Sequence, residues 1–238
     1  MRDELLSFGV PIVFVGDMNQ LPPIFGISSV MLHPDYVLTQ IMRQKEGDPI
    51  IQLSQMVLHD YPLKIGDYGL SRVLRSVPMD EKILRDYDQI ICGKNKTREV
   101  INNHIRYKLL NRRNEDPVIM DKIICRQNDW EKECAGIFLT NGLIGYVTDI
   151  DRSRSARGYM TIGFRPDFMD QSFEDLKLDL KYMRMDHIDR ANYGFSKYEK
   201  FEYGYAITCH LSQGSQWPRV LFIDEKFYDY ETRKKLRY

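Results

Sequence analysis

Tyr203-Gly-Tyr-Ala-Ile-Thr-Cys-His-Leu-Ser-Gln-Gly-Ser-Gln-Trp217, followed by Pro218-Arg-Val-Leu-Phe-Ile-Asp-Glu225, decides how this chain is read. A short apolar run gives way to three polar side chains at alternate positions, Thr208, His210 and Ser212, then to Gly214 and a second apolar run. That order predicts a strand, a helix start, a turn and another strand. Small hydroxyl and imidazole groups at a strand-to-helix transition suit the phosphates of a sugar-phosphate backbone, because the unpaired amides of a helix start also attract anions.

Two stretches nearer the N-terminus have the same decisive quality. Val10-Pro-Ile-Val-Phe-Val-Gly16 runs straight into Asp17-Met-Asn-Gln20-Leu-Pro-Pro23. A continuous apolar run ended by Gly and Pro-Pro predicts a strand buried on both faces, and an open α/β sheet places its ligand loops at the carboxyl ends of such strands. Leu38-Thr-Gln-Ile-Met-Arg43-Gln44 follows. An arginine offers a planar fork of donors for bidentate phosphate contact.

Composition limits the alternatives. At 238 residues and 43% apolar, the chain is long enough for one large domain or two small ones. No run reaches the roughly 18 apolar residues of a membrane span, and no secretory signal is expected at Met1. Cys92, Cys125, Cys134 and Cys209 are scattered without a Cys-x-x-Cys, and neither His104 nor His210 has a ligand-like companion nearby. No metal site is therefore expected, and the thiols read as reduced in a cytoplasmic setting. The 34 basic and 34 acidic residues cancel, so any nucleic-acid contact must be local. Arg106, Lys108, Arg112 and Arg113 form one basic cluster, either a contact surface or a solvated face; Arg152, Arg154, Arg157 and Arg165 form another, interleaved with Ser and Gly as a hairpin tip would be.

Along the chain, Asp48–His59 shows a helical apolar face, Gln89–Cys92 a strand, and Asn95 opens a helix that runs from Thr97 to Leu110. After Asp116-Pro117 the pattern turns β-rich: Val118–Arg126, Ile137–Ile150 with a turn at Asn141-Gly142, and Gly158–Phe164. Trp130, Tyr146 and Tyr159 are candidates for stacking on bases or for core packing. Val220–Ile223 before Asp224-Glu225 has the outline of a magnesium-binding strand but reads as a core strand. Gly93-Lys-Asn-Lys-Thr97 is not a phosphate-cradling loop, because Asp88 stands where its first glycine is needed, and no Gly-x-x-x-x-Gly-Lys-Ser/Thr occurs anywhere.

Taken together, these strings resemble superfamily 1 DNA helicases of the RecD-like branch, the phage and bacterial ATP-dependent helicases similar to the exonuclease V alpha subunit. Residues 203–217 resemble motif V, Gly16–Pro23 motif III, and Leu38–Gln44 motif IV, in the family's order; Gly93–Thr97 is similar to an additional DNA-contact motif. Asp121–Trp130 and Asn141–Gly145 resemble the family's small barrel beside the exit path of single-stranded DNA. The resemblance implies an α/β fold: the tail of a first RecA-like domain (1–36), a second RecA-like motor domain (37–115 and 201–238), and an inserted small β-barrel (116–200). It implies a helicase that couples ATP hydrolysis to translocation on single-stranded DNA in replication, recombination or repair, with ATP and Mg2+ as cofactors. Gln20 and Arg43 would act at the γ-phosphate. Asp17, Gln213, Gly214 and Gln216 would join them around the nucleotide, and Asn95, Thr97, Thr208, His210 and Ser212 would hold DNA. Leu211 stands where many members have Lys, and Gln216 where many have Glu.

Arg2–Gly9 resembles the helix after the magnesium-binding Asp-Glu, and Arg233–Tyr238 stops where motif VI would begin, so the expectation is a motor cut before motif II and before motif VI, its nucleotide site incomplete. Two other readings stay open: a non-catalytic single-stranded-DNA-binding module, and one half of a split helicase. A separate N-terminal motor fragment and replication proteins are then candidate partners.

Overall fold

The structure, a computed structural model, describes residues 2–17, 20–21, 34–38 and 48–238. It divides into two compact units, Met1–Val77 with Lys226–Tyr238, and Pro78–Glu225. The first unit holds α1 (Arg2–Leu6), α2 (Pro49–Leu58) and the hairpin β1 (Gly66–Tyr68) and β2 (Ser71–Val73). The helix expected over Asp48–His59 is α2, with the Asp48 side chain capping Ile50 N and proline at the first position. The strand expected over Val10–Gly16 is not formed: residues 11–17 carry no strand pairing, and Val13 and Val15 are 86% and 89% exposed. A strand needs neighbours to satisfy its ladder, and none of the described strands pairs with this run. Arg43, with the rest of Thr39–Gln44, and Met18, Asn19, Pro22 and Pro23 lie outside the described residues.

The second unit begins with α3 (Lys82–Asp86), β3 (Gln89–Cys92) and α4 (Asn95–Asn103), which continues as a π-helical turn from His104 to Leu109. Then come β4 (Lys122–Cys125), the hairpin β5 (Asp129–Cys134) and β6 (Ile137–Leu139), β7 (Ile144–Asp151), β8 (Tyr159–Pro166) and β9 (Phe173–Asp179). Two short helices, α5 (Leu180–Arg184) and α6 (His187–Ala191), lead to β10 (Phe201–Tyr203), β11 (Ala206–Thr208), α7 (Cys209–Ser212) and β12 (Val220–Ile223); α8 (Tyr230–Arg237) returns to the first unit. No helix among the described residues is long and apolar enough to cross a membrane.

Two sheets organise this unit. A parallel sheet runs in the order β11-β3-β12, and an antiparallel sheet in the order β10-β4-β7-β8-β9. The edges of the second are joined: Leu178 in β9 forms a parallel bridge to Glu199, just before β10, through Glu199 N to Lys177 O and Asp179 N to Glu199 O, both 2.9 Å. Of the arginines expected at a hairpin tip, Arg152, Arg154 and Arg157 lie in the connection from β7 to β8, whereas Arg165 is in β8 itself; the Asn141-Gly142 turn connects β6 to β7. β9, α5 and α6 fill a stretch, Phe173 to Ala191, for which the sequence pattern predicts no element. β10 belongs to the antiparallel sheet by pairing with β4, so the chain crosses to the parallel sheet at Gly204, where a Cβ would stand 3.1 Å from the Ile123 carbonyl carbon.

β4 explains how the sheets are held together. Successive strand residues face opposite sides, so Ile123 and Cys125 enter the antiparallel core with Phe164, Leu176 and Phe201. Ile124 points the other way, onto Ile207 of β11. Lys122 shares that second face and donates from Nζ to Asp88 O at 2.7 Å and to Gln89 Oε1 at 2.8 Å. Burial pulls its ammonium below the usual lysine range, against the opposing pull of Asp167 and Asp88. The apolar run in the sequence is thus a strand covered on both faces.

Candidate nucleic-acid interface

β3, β11 and β12 run parallel, with Cys92 paired to both Thr208 and Ile223, so their carboxyl ends form one edge. Open α/β sheets place ligand sites at this edge. Three segments leave it: the Gly93-Lys94 turn into α4, the Thr208–Ser212 turn through α7, and Asp224-Glu225 after β12. The segments that carry the sequence-predicted residues Asn95, Thr97, Thr208, His210 and Ser212 therefore leave the same sheet edge, although they lie far apart in the sequence.

Their surroundings differ. Thr208 is 6% exposed, the last residue of β11 and the N-cap position of α7. His210 and Ser212 are half-buried, and the Ser212 hydroxyl donates to Cys209 O at 2.9 Å. That bond leaves the oxygen's acceptor side available and orients the group. Asn95 is exposed. Thr97 is half-buried, and its hydroxyl donates to Glu225 Oε1 at 2.5 Å. Gln213, Gly214 and Gln216 are exposed just past α7, with Gly214 at φ +84, a left-handed turn that suits glycine. Burial pushes the Cys92 and Cys209 thiols on this edge up to about 12, so both are protonated and inert.

In the first unit, Gln20 is exposed and its amide donates to Asp17 Oδ2 at 3.3 Å. The nucleotide candidates are thus divided between the two units, with Gln20 and Asp17 in one and Gln213, Gly214 and Gln216 in the other. Among the described residues no three His, Cys, Asp or Glu side chains group as a metal site.

A buried polar frame lies behind the edge. Glu202 of β10 receives Arg98 of α4, Arg126 Nε at 2.9 Å, Arg190 Nη1 at 3.5 Å and the Tyr182 hydroxyl at 3.0 Å. Burial alone would raise this carboxyl, but the three guanidiniums outweigh it and hold Glu202 at about 2. One turn along α4 from Arg98, Asn102 donates to Tyr203 O and Ala206 O at 3.1 and 3.0 Å and accepts from Ala206 N at 2.8 Å. It thereby fixes the crossing from β10 to β11. Arg106, in the basic cluster read as a possible contact surface, is fully buried: it donates to Asp121 Oδ2 at 3.1 Å and stacks over Tyr203 at 4.3 Å. Its neighbour Arg112 shares Asp121 at 2.6 Å. These two arginines hold the frame; Lys108 and Arg113 are exposed.

Of the three aromatic candidates, Trp130 is 64% exposed and meets Phe138 edge-on at 5.7 Å, Tyr159 packs on Tyr198 at 4.6 Å, and Tyr146 is half-buried near Lys122. Asn102 and Glu202 escaped the sequence reading, and Glu225 was legible only as the end of a core strand. Asn102 and Glu202 sit at helical and strand positions whose partners lie about a hundred residues away.

Comparison with known proteins falls on the same stretches. The UvrD-like helicase C-terminal domain family matches residues 203–238. The ATP-dependent RecD2 DNA helicase of Deinococcus radiodurans is 24% identical over 240 residues, covering 90% of this chain and 29% of that protein. The chain therefore spans less than a third of the length of this relative. Among solved structures, the Pif1 helicase from Bacteroides in complex with ADP-AlF3 and ssDNA aligns with a TM-score of 0.49 and 16% identity, over 84% of this chain and 48% of that one. The Pif1 helicase from Candida albicans aligns with a TM-score of 0.47 and 13% identity, over 83% and 52%. The family match begins at Tyr203, where the decisive stretch begins, and the RecD2 match takes in nearly the whole chain: what this chain resembles is the C-terminal portion of a superfamily 1 helicase of the RecD-like branch.

Proposed function

We propose that this chain is the single-stranded-DNA-holding part of an ATP-dependent helicase motor. The observation that carries the reading is the shared carboxyl edge of β3 and β11, which the segments bearing Asn95, His210 and Ser212 leave. On that edge His210 and Ser212 orient a DNA phosphate, Thr208 stands where the turn that carries them leaves β11, and Asn95 meets a neighbouring phosphate or sugar. In this reading residues 1–36 are the tail of a first RecA-like domain, 37–115 and 201–238 the second, and 116–200 a small barrel; the Leu178–Glu199 bridge between the sheet's outer strands supports the barrel.

ATP with Mg2+ would supply the energy of translocation when bound. The resemblance assigns Asp17, Gln20, Arg43, Gln213, Gly214 and Gln216 to the nucleotide, but the phosphate cradle and its lysine are not among these 238 residues. The chain by itself is therefore expected to bind DNA without turning over ATP, and ATPase activity that needs Arg43 is expected once a polypeptide carrying the cradle completes the site.

Fluorescence anisotropy with a labelled oligothymidylate tests the DNA reading. The neutral net charge implies few phosphate contacts, hence binding that weakens with salt along a shallow slope of about −0.7 per phosphate contacted. Replacing His210 and Ser212 together by Ala should weaken binding by about tenfold, the equivalent of one charge-assisted contact. Binding that is indifferent to this double change would end the assignment.

A further inference from the structure

Glu225 stands two residues past the end of β12, on the same edge as His210 and Ser212. Its Oε2 accepts from Gly93 N at 2.7 Å and Lys94 N at 2.8 Å, and its Oε1 accepts from the Thr97 hydroxyl at 2.5 Å. Gly93 and Lys94 are the two residues before α4, a nine-residue helix, and Thr97 lies in its first turn. The start of α4 therefore already holds an anion, on two backbone amides and a hydroxyl. Donors of that kind serve phosphate equally well, since the partial positive charge of a helix start does not distinguish a carboxylate from a phosphate. Thr97, a residue that the motif assigns to the DNA strand, is committed to this carboxylate.

We propose that Glu225 is an intramolecular stand-in for phosphate, occupying the α4 end of the DNA track and lowering the affinity of the edge for a strand until the carboxylate swings out. The proposal rests on the reading of the edge as a DNA site and specifies how that site is regulated. Two effects act in the same direction. The carboxylate takes the donors, and its charge repels a phosphate approaching His210 and Ser212 along the same edge. Because Glu225 stands only two residues past β12, a strand of DNA and the segment after β12 compete for one set of donors.

The test uses the full 238-residue chain, a labelled oligothymidylate and anisotropy across a salt series. Glu225→Ala should bind about tenfold tighter and steepen the salt slope by about 0.7, the signature of one additional phosphate contact. Glu225→Gln, which keeps the shape and loses the charge, should fall between the two. Thr97→Val introduced into the Glu225→Ala background should cancel that gain. Thermal melts check that each variant is folded. If the His210 and Ser212 double variant weakens binding while a folded Glu225→Ala binds no tighter than the native chain, the stand-in is refuted and the DNA site survives. If that double variant binds as the native chain does, the site itself falls. A gain in Glu225→Ala that Thr97→Val leaves intact would show added charge attraction alone, and would also refute the stand-in.

Discussion

Glu202 and Glu225 lie in the same unit and are both carboxylates gripped by several donors, yet their settings are opposite. Glu202 is 3% exposed and is held by three guanidiniums and a tyrosine hydroxyl from four separate segments. Glu225 is half-buried at a sheet edge and is held by two backbone amides and a threonine hydroxyl from one turn. Side-chain cations placed around a buried anion serve only that anion, because removing it leaves uncompensated charge. Backbone donors at a helix start serve any anion that reaches them. The first carboxylate is therefore a fixed part of the frame, and the second is exchangeable.

The strongest way to break this contrast is Glu202→Gln. It leaves Arg98, Arg126 and Arg190 crowded without their counter-charge, and the loss of such a buried partner costs about 3–5 kcal/mol. Urea unfolding should show that loss, whereas Glu225→Gln should cost well under half as much; equal costs would erase the distinction. The pH dependence sharpens it. Glu202 sits below its ordinary 4.5, at about 2, so its contribution to stability is fully present above pH 4.5 and is lost as pH falls toward 2. Acid unfolding of the native chain should be steep in that window and flatter in Glu202→Gln. Matching acid profiles would place the acid sensitivity elsewhere.

Asn102→Ala comes next. Its side chain satisfies Ala206 N and the carbonyls of Tyr203 and Ala206 where the chain passes between sheets. Leaving a buried amide without a partner costs about 1–3 kcal/mol. Because the crossing sets the position of Thr208, the same variant should weaken oligothymidylate binding, unlike a surface change such as Lys108→Ala. Amide exchange at Ala206 should accelerate; an unchanged rate would deny Asn102 this role.

Much of the edge was legible because its signals are local. Gln89–Cys92 and Val220–Ile223 are apolar runs closed by polar residues, and they are β3 and β12 with the expected limits. The helix-start chemistry of Thr208–Ser212 follows directly on β11. What stayed hidden depends on partners far away in sequence. Arg106 reads as part of a basic cluster and is buried because Asp121 and Tyr203 surround it. Phe173-Glu-Asp-Leu-Lys-Leu-Asp179 is more than half charged and sets Glu174 and Asp175 side by side, so charge masked the period that makes it β9. Val10–Gly16 shows the converse, since an apolar run states a preference for burial but supplies no neighbour to satisfy it. Glu225 looked like the end of a core strand, and nothing in its own stretch announces that its acceptors face a turn more than 120 residues earlier.

The smallest expected effect is the most discriminating for the Glu225 side of the contrast. Thr97→Val keeps the branched shape and removes one hydroxyl that donates to Glu225. Lys94, at the N-cap position, makes no side-chain cap of its own, and Glu225 instead takes the amides of Lys94 and of Gly93 before it while Thr97 donates to its other oxygen. Losing one neutral-donor bond at a half-buried site should cost about 0.5–1.5 kcal/mol. The cost should shrink toward zero in a Glu225→Ala background, where the acceptor is already gone, a coupling readable by a double-mutant cycle in urea. Additive costs would mean that the hydroxyl and the carboxylate act independently, and the helix start would then need another account of what holds it.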